Sequence, residues 1–320
     1  MKHQETPWAW VKRGVGIPLV IVLGWFLVSS CQEQKQSPIK GRLKILAAES
    51  VSPIIQKEVS RFEELYPEAH FDVSYVSSRE AIVKLINGEV SLIIVGREFN
   101  AEEDSIIRHY KIDITKHVIA YDGIAALVNE KNPVRQLKTT DLAAILSGKV
   151  KKWSSFKGGF AEPITVVTQG PNSATYELLS QLLLDGKRFS TPIVEVKTSS
   201  EVIDDVASAR FGGALGFVGL APLHGISKPV RPLELADPSV LVDTLRTTAK
   251  IFPPHPAYVY LHYYPLTRPI VLYTTETGFG LAAGFISFIT SPDGQRIFLD
   301  GGLVPATQPV KLVPSTFESN

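Results

Sequence analysis

From residue 43 to residue 299 the chain alternates short apolar runs with amphipathic stretches, and this alternation decides most of what it can fold into. Residues 43–48 are an apolar run of strand length. Residues 53–66 carry Ile54, Ile55, Val59, Phe62 and Leu65 at helical spacing. Residues 70–76 read as a strand, 79–87 as a helix and 90–95 as a buried strand. A strand–helix–strand–helix–strand order indicates an open, largely parallel α/β sheet, because each parallel return needs a crossover. The second half continues the alternation with strand 119–128, helices 142–146 and 175–184 with strand 164–167 between them, helix 202–209 and strand 214–218. Strand 269–273, helix 281–289 and a short helix at 295–299 follow. Residues 227–254 are Pro-rich and irregular, with a helix expected around 240–245. This is too much α/β material for one sheet, so the sequence predicts two lobes. No repeat of solenoid period interrupts it.

Composition narrows the class. At 320 residues, 44% hydrophobic and 20% charged, the chain suits a packed globular protein. The net charge is +1 with no long basic run, which argues against a nucleic-acid partner. It does not argue against a small anion, which backbone N–H groups and hydroxyls can hold without a formal charge. The single cysteine rules out an internal disulfide, so its position becomes informative.

That position is 31. Lys2, Lys12 and Arg13 precede an apolar run over residues 15–28, and Ser29 and Ser30 follow it, the layout of a secretory signal. The run is shorter than a spanning helix needs. Val28-Ser29-Ser30-Cys31 resembles the bacterial lipobox, which implies a diacylglycerol on the Cys31 sulfur and cleavage before it. An uncleaved transmembrane anchor is the alternative. Residues 1–30 are thus expected to be a signal peptide, and 31–42 a polar tether to the membrane. Removing the signal takes away Lys2, Lys12, Arg13 and Glu5 and leaves 30 basic against 31 acidic residues, a net charge of −1.

Three helix starts are polar. Ser50-Val51-Ser52-Pro53 sets two hydroxyls before a Pro at the first helical position. Ser77-Ser78-Arg79-Glu80 is a capping-box pattern, and Asn172-Ser173-Ala174-Thr175 opens a third helix. Each start leaves N–H groups unsatisfied and carries partial positive charge. In open α/β sheets such starts lie near the carboxyl ends of strands, where ligands bind. Ordinary capping explains each one equally well by itself. Thr198-Ser199-Ser200-Glu201 is a fourth capping box, read only as a cap.

In this order the sequence resembles the phosphate-binding proteins of ABC importers, members of the type II periplasmic binding fold. The resemblance runs from residue 43 to residue 306. It rests on Ala120-Tyr121-Asp122-Gly123-Ile124-Ala125 with Asn132-Pro133-Val134, and on Asp141-Leu142-Ala143-Ala144-Ile145-Leu146-Ser147-Gly148 followed by Trp153. Gly213-Ala214-Leu215-Gly216-Phe217-Val218-Gly219, Tyr264-Pro265-Leu266 with Arg268-Pro269, Ser291-Pro292-Asp293-Gly294-Gln295 and Gly302-Leu303-Val304-Pro305 complete it. The resemblance implies an α/β fold of two lobes joined by two crossing strands, closing on a ligand like a Venus flytrap. Lobe one would be residues 43–121 with 268–313, and lobe two residues 123–267. It further implies a binding protein rather than an enzyme, exported, anchored to the membrane through Cys31 and facing the periplasm or cell exterior. Its partners would be phosphate or a related oxyanion and an importer permease, and it would act as a monomer. By position, Ser50, Val51, Ser77 or Ser78, Ser173, Ala174 and Thr175 match the family's ligand-holding stretches. Two positions depart from the family: Gln169 stands where relatives have Arg, and Val95-Gly96-Arg97 where they have Ser or Asp beside an Arg. Either Arg97 supplies the charge that Gln169 lacks, or the ligand differs from the family's.

Other motifs lead nowhere. Gly278-Phe279-Gly280-Leu281-Ala282-Ala283-Gly284 has the wrong last gap for a dinucleotide fingerprint, and no cofactor is expected. No Gly-x-Ser-x-Gly elbow is present, and the seven histidines lack metal-ligand spacing. Tyr258, Tyr260, Tyr263 and Tyr264 are expected to pack within lobe two rather than to form a partner patch.

Overall fold

The computed structural model describes residues 36–208, 213–237 and 251–310. Residues 37–320 form one compact unit, and residues 1–36 another, of which only Gln36 is described. The expected signal, Cys31 and the helix at 240–245 lie outside the described residues.

The first half follows the expected order: β1 (Gly41–Ala48), a 3-10 turn (Glu49–Val51), α1 (Ser52–Leu65), β2 (Ala69–Val76), α2 (Ser78–Ile86) and β3 (Leu92–Val95). The sequence reading missed the next helix, α3 (Ala101–Tyr110). It buries only Glu103, so no apolar stripe announces it, yet an Asn100–Glu103 capping box fixes its start. The long β4 (Thr115–Asn129) leads to β5 (Gln136–Lys138), α4 (Thr139–Leu146), β6 (Thr165–Thr168), α5 (Ala174–Leu184), β7 (Ile193–Glu195), α6 (Ser199–Ala207) and β8 (Ala214–Gly219). Short pieces follow: β9 (Val230–Pro232), β10 (Glu234–Ala236), β11 (Ile251–Phe252) and α7 (Pro256–Tyr260). The chain returns through β12 (Thr267–Thr274), α8 (Leu281–Ile289), α9 (Pro292–Asp300) and β13 (Val304–Pro305).

One curled sheet runs in the order β2-β1-β3-β12-β4-β8-β6-β7, with β13 and β9 added to β4. The outer strands of each half are parallel, while β12 and β4 run antiparallel to their neighbours. Between Gly123 and Ile124, β4 changes partners. Residues up to Gly123 pair with β12, and residues from Ile124 pair with β8. This strand therefore belongs to both halves. β3 and β8 are buried throughout, as strands covered on both faces must be.

Phe62 of α1 meets Phe71, Phe285 and Phe288 edge-on and fills the first half. In the second half, Trp153 is wholly buried and donates its indole N–H to the Gly213 carbonyl at 2.9 Å. That bond sits at the amino ends of β6 and β8. Of the four tyrosines expected to pack inward, Tyr264 is buried and donates its hydroxyl to the Ile124 carbonyl at 2.8 Å, Tyr258 and Tyr263 are half-buried, and Tyr260 is exposed. Among the described residues no helix is long and apolar enough to cross a membrane.

Candidate functional site

Three adjacent strands deliver the first set of candidate residues. Ala48 of β1 pairs with Val76 of β2, and Ala47 with Ile94 of β3, so the segments beyond 48, 76 and 95 leave the sheet side by side. This carboxyl edge is where open parallel sheets bind ligands. The 3-10 turn after β1 buries Ser50 and Val51, and Pro53 then opens α1, where its missing N–H costs nothing. Ser77 caps α2, its hydroxyl accepting from the Glu80 N–H at 3.2 Å. Ser78 is buried, and its hydroxyl accepts from the Gly96 N–H at 3.4 Å. The two serines, indistinguishable in sequence, thus divide: 77 caps the helix and 78 joins the neighbouring loop.

The second set follows β6. Ser173 caps α5, its hydroxyl accepting from the Tyr176 N–H at 3.2 Å and donating to the Gly170 carbonyl at 2.9 Å. Its one proton is therefore committed. Ala174 and Thr175 form the buried first turn of α5.

The two sets meet. The Arg79 N–H donates to the Asn172 carbonyl at 3.3 Å. A methyl group on Gly96 would lie 3.2 Å from the Ala174 Cβ and 2.9 Å from Nη1 of Arg268, an approach only glycine permits without displacement. Arg268, on β12, extends Nη1 to the Thr175 hydroxyl at 3.3 Å and holds Asp122 with its other nitrogens. Ser78, Gly96, Ala174, Thr175 and Arg268 therefore form one connected, buried cluster between the halves. In it the hydroxyls of Ser78 and Thr175 act as acceptors and keep their protons to donate.

Arg97 and Gln169 do not play the parts expected of them. Arg97 donates to both oxygens of Glu103 at 2.7 and 2.8 Å, to the Glu98 carbonyl at 2.8 Å, and pairs with Glu177 of α5. Its charge is answered by two carboxylates, so it does not replace the missing arginine at 169. Burial alone would lower the Arg97 pKa, but the Glu103 hydrogen bond and the charges of Glu177 and Glu103 outweigh it and raise the pKa. Glu177 moves the other way from a simple ion pair: burial raises its pKa, and Arg97 only partly offsets this. The neighbouring Glu103 carboxylate adds to the rise. Gln169 spends its amide on Glu49 at 2.5 Å and on the Lys197 carbonyl at 3.2 Å.

Glu49 is the residue that sequence reasoning missed most completely. From the turn after β1, its carboxylate accepts from the Ser199 N–H at 3.0 Å, the Ser199 hydroxyl at 2.9 Å and Gln169. The capping box at Thr198 thus does more than cap, because the first N–H of α6 receives a carboxylate from the other half of the sheet. Arg268 and Asp122 carried a usable signal: Asp122 interrupts the apolar run of β4, and Arg268 stands directly before that of β12. A separate groove of about 470 Å³ lies along β12 and β13, walled by Tyr121, Tyr260, Pro269, Val304 and Pro305. It shares Arg268 with the cluster but neither Ser78 nor Ala174, so the strand-end cluster, with its convergent donors, is the better site.

Residues 32–293 match a family model described as a PBP superfamily domain. The phosphate-binding protein PstS of Bacillus subtilis (strain 168) is 27% identical over 280 residues, spanning 86% of this chain and 83% of the relative. A substrate-binding protein from Clostridium perfringens, solved with bound phosphate, aligns with a TM-score of 0.68 at 22% identity over 83% of this chain and 100% of that one. An ABC-type phosphate transport receptor from Vibrio cholerae gives 0.63 at 21% identity, over 83% and 100% of the two chains. With its mixed α/β sheet, its two antiparallel middle strands and a match over most of its length, this chain belongs to the PBP superfamily.

Proposed function

We propose that this protein captures phosphate, or a similar tetrahedral oxyanion, outside the cytoplasm and passes it to the permease of an ABC importer. The observation that carries the reading is the convergence of Ser78, Ala174, Thr175 and Arg268 from opposite strand ends onto one buried place. A tetrahedral anion offers acceptors in several directions, and oriented hydroxyls and amides can replace its water. In this reading Ser50, Val51 and Ser78 contribute from residues 43–121 with 268–313, and Ala174 and Thr175 from residues 123–267. Arg268 adds charge between them. A ligand that touches both lobes only when they are closed binds that state better and so draws them together. The relatives named above are phosphate-binding or transport proteins by description, which supports the ligand. The protein acts as a monomer held to the membrane by an acylated Cys31.

Calorimetry on the mature chain carrying Cys31→Ser tests the ligand: heat with micromolar phosphate is expected. Silence with phosphate, sulfate, arsenate, molybdate and tungstate alike would end the reading. Retention of the wild-type chain in membranes, with release by Cys31→Ser, tests the anchor.

A second reading, a lipoprotein that keeps the fold for sensing or assembly with altered or lost ligand binding, draws on Glu49 and Gln169. Gln169 donates its amide to Glu49 and to the Lys197 carbonyl, and Glu49 also accepts from Ser199. Under it, calorimetry stays silent even for Gln169→Arg.

A further inference from the structure

Glu49 leaves β1 in the first half of the sheet, whereas Gln169 and Ser199 follow β6 and β7 in the second. The bonds between them join residues 120 and 150 positions apart in sequence. Ser199 is the first residue of α6, so its N–H has no partner inside the helix, and the positive end of the helix dipole lies there. A carboxylate accepting that N–H, a hydroxyl and an amide makes charge-assisted bonds, roughly twice as strong as neutral ones. A second tie crosses at Arg97, which Glu103 of its own half orients toward Glu177 of the other. All these bonds run from protein to protein, and none depends on a bound anion.

We propose that Glu49 is a clasp residue: by seating its carboxylate on the amino end of α6, it holds the two halves shut independently of ligand. Glu49 contacts no ligand in this scheme and acts on affinity by positioning the halves. A ligand that binds only the closed form has an apparent Kd equal to its intrinsic Kd divided by the closed fraction, so the clasp tightens binding by raising that fraction. It also slows entry, because the ligand must wait for opening. The effect on phosphate rests on the function proposed above; the effect on closure does not.

Amide hydrogen exchange read residue by residue separates the two. The Arg79 N–H reaches the Asn172 carbonyl of the other half and bonds neither Glu49 nor its partners, so its protection reports closure. In phosphate-free buffer we expect the wild-type Arg79 amide to be protected. Glu49→Ala should exchange it roughly tenfold faster and Glu49→Gln by less, with exchange in β3 unchanged as evidence of an intact fold. Ser199→Ala, which removes one of the three donors, should give an intermediate rate. Phosphate affinity in Glu49→Ala should weaken by a comparable factor. Equal Arg79 exchange in wild type and Glu49→Ala overturns the clasp, whatever phosphate does. Protected Arg79 in wild type, fast exchange in the variant and no phosphate heat in either would keep the clasp and reject the ligand.

Discussion

Arg268 and Asp122 face each other directly in the register of β12 and β4, and both are wholly buried. Nε and Nη2 of the guanidinium donate to the same Asp122 oxygen at 3.1 and 2.8 Å. The other oxygen accepts the Leu220 N–H at 2.9 Å, which ties the pair to the end of β8. An ion pair between β12 and β4 is thereby fastened to the end of β8 as well.

Removing one partner should be costly. Asp122→Ala leaves a buried guanidinium unpaired and is expected to lower stability by about 3–5 kcal/mol, read from urea unfolding. Asp122→Leu combined with Arg268→Met should recover much of that loss while abolishing the reach to Thr175. A single variant as stable as wild type would mean that water enters this pair.

Gly96→Ala should act on closure. The added methyl comes too close to both Arg268 and Ala174, so the halves must part slightly or the side chains shift. We expect a cost of about 1–3 kcal/mol to the closed form. Small-angle scattering should show a larger radius of gyration, and anion affinity should fall.

Ser173 and Thr175 should separate cleanly. Ser173→Ala removes a helix cap whose proton is already committed to Gly170, and should cost about 1 kcal/mol of folding stability with little effect on affinity. Thr175→Val keeps the shape but removes a free hydroxyl donor, and should weaken phosphate binding by about 1–2 kcal/mol. Calorimetry and thermal melts on the same preparations distinguish them.

Glu58 should make stability depend on pH. It lies wholly buried in α1 with no hydrogen-bond partner for either oxygen among the described residues, and burial raises its pKa from 4.5 to about 9. The folded chain then keeps a proton that the unfolded chain releases. Its contribution is full below 4.5 and is lost progressively as pH rises toward about 9. Urea midpoints at about pH 5 and about pH 8 should differ in wild type, and Glu58→Gln should remove this share of the difference.

Much of this was legible in the sequence, for reasons that can be named. β3 reads Leu-Ile-Ile-Val because a strand buried on both faces has no polar side to show, and α1 shows its inner face at every third or fourth residue. Local caps were legible too, since Ser77, Ser173 and Thr198 bond within three residues of themselves. Long-range ionic partners were not. Arg97 looks like a free cation until the fold brings Glu177 to it from 80 positions away. Glu49 looks like any polar residue at the end of a strand until α6 arrives. Periodicity reports which face a residue takes, and it is blind to which charge waits opposite.

The change of partners within β4 has one more consequence. Each half keeps its own complete set of backbone rungs along this strand, on either side of the junction at Gly123 and Ile124. If the halves move as proposed, the bending at β4 can fall at this junction without breaking either ladder. The bonds that such a movement would have to break include those of Glu49 to Ser199 and Gln169, of Arg97 to Glu177 and of the Arg79 amide to Asn172.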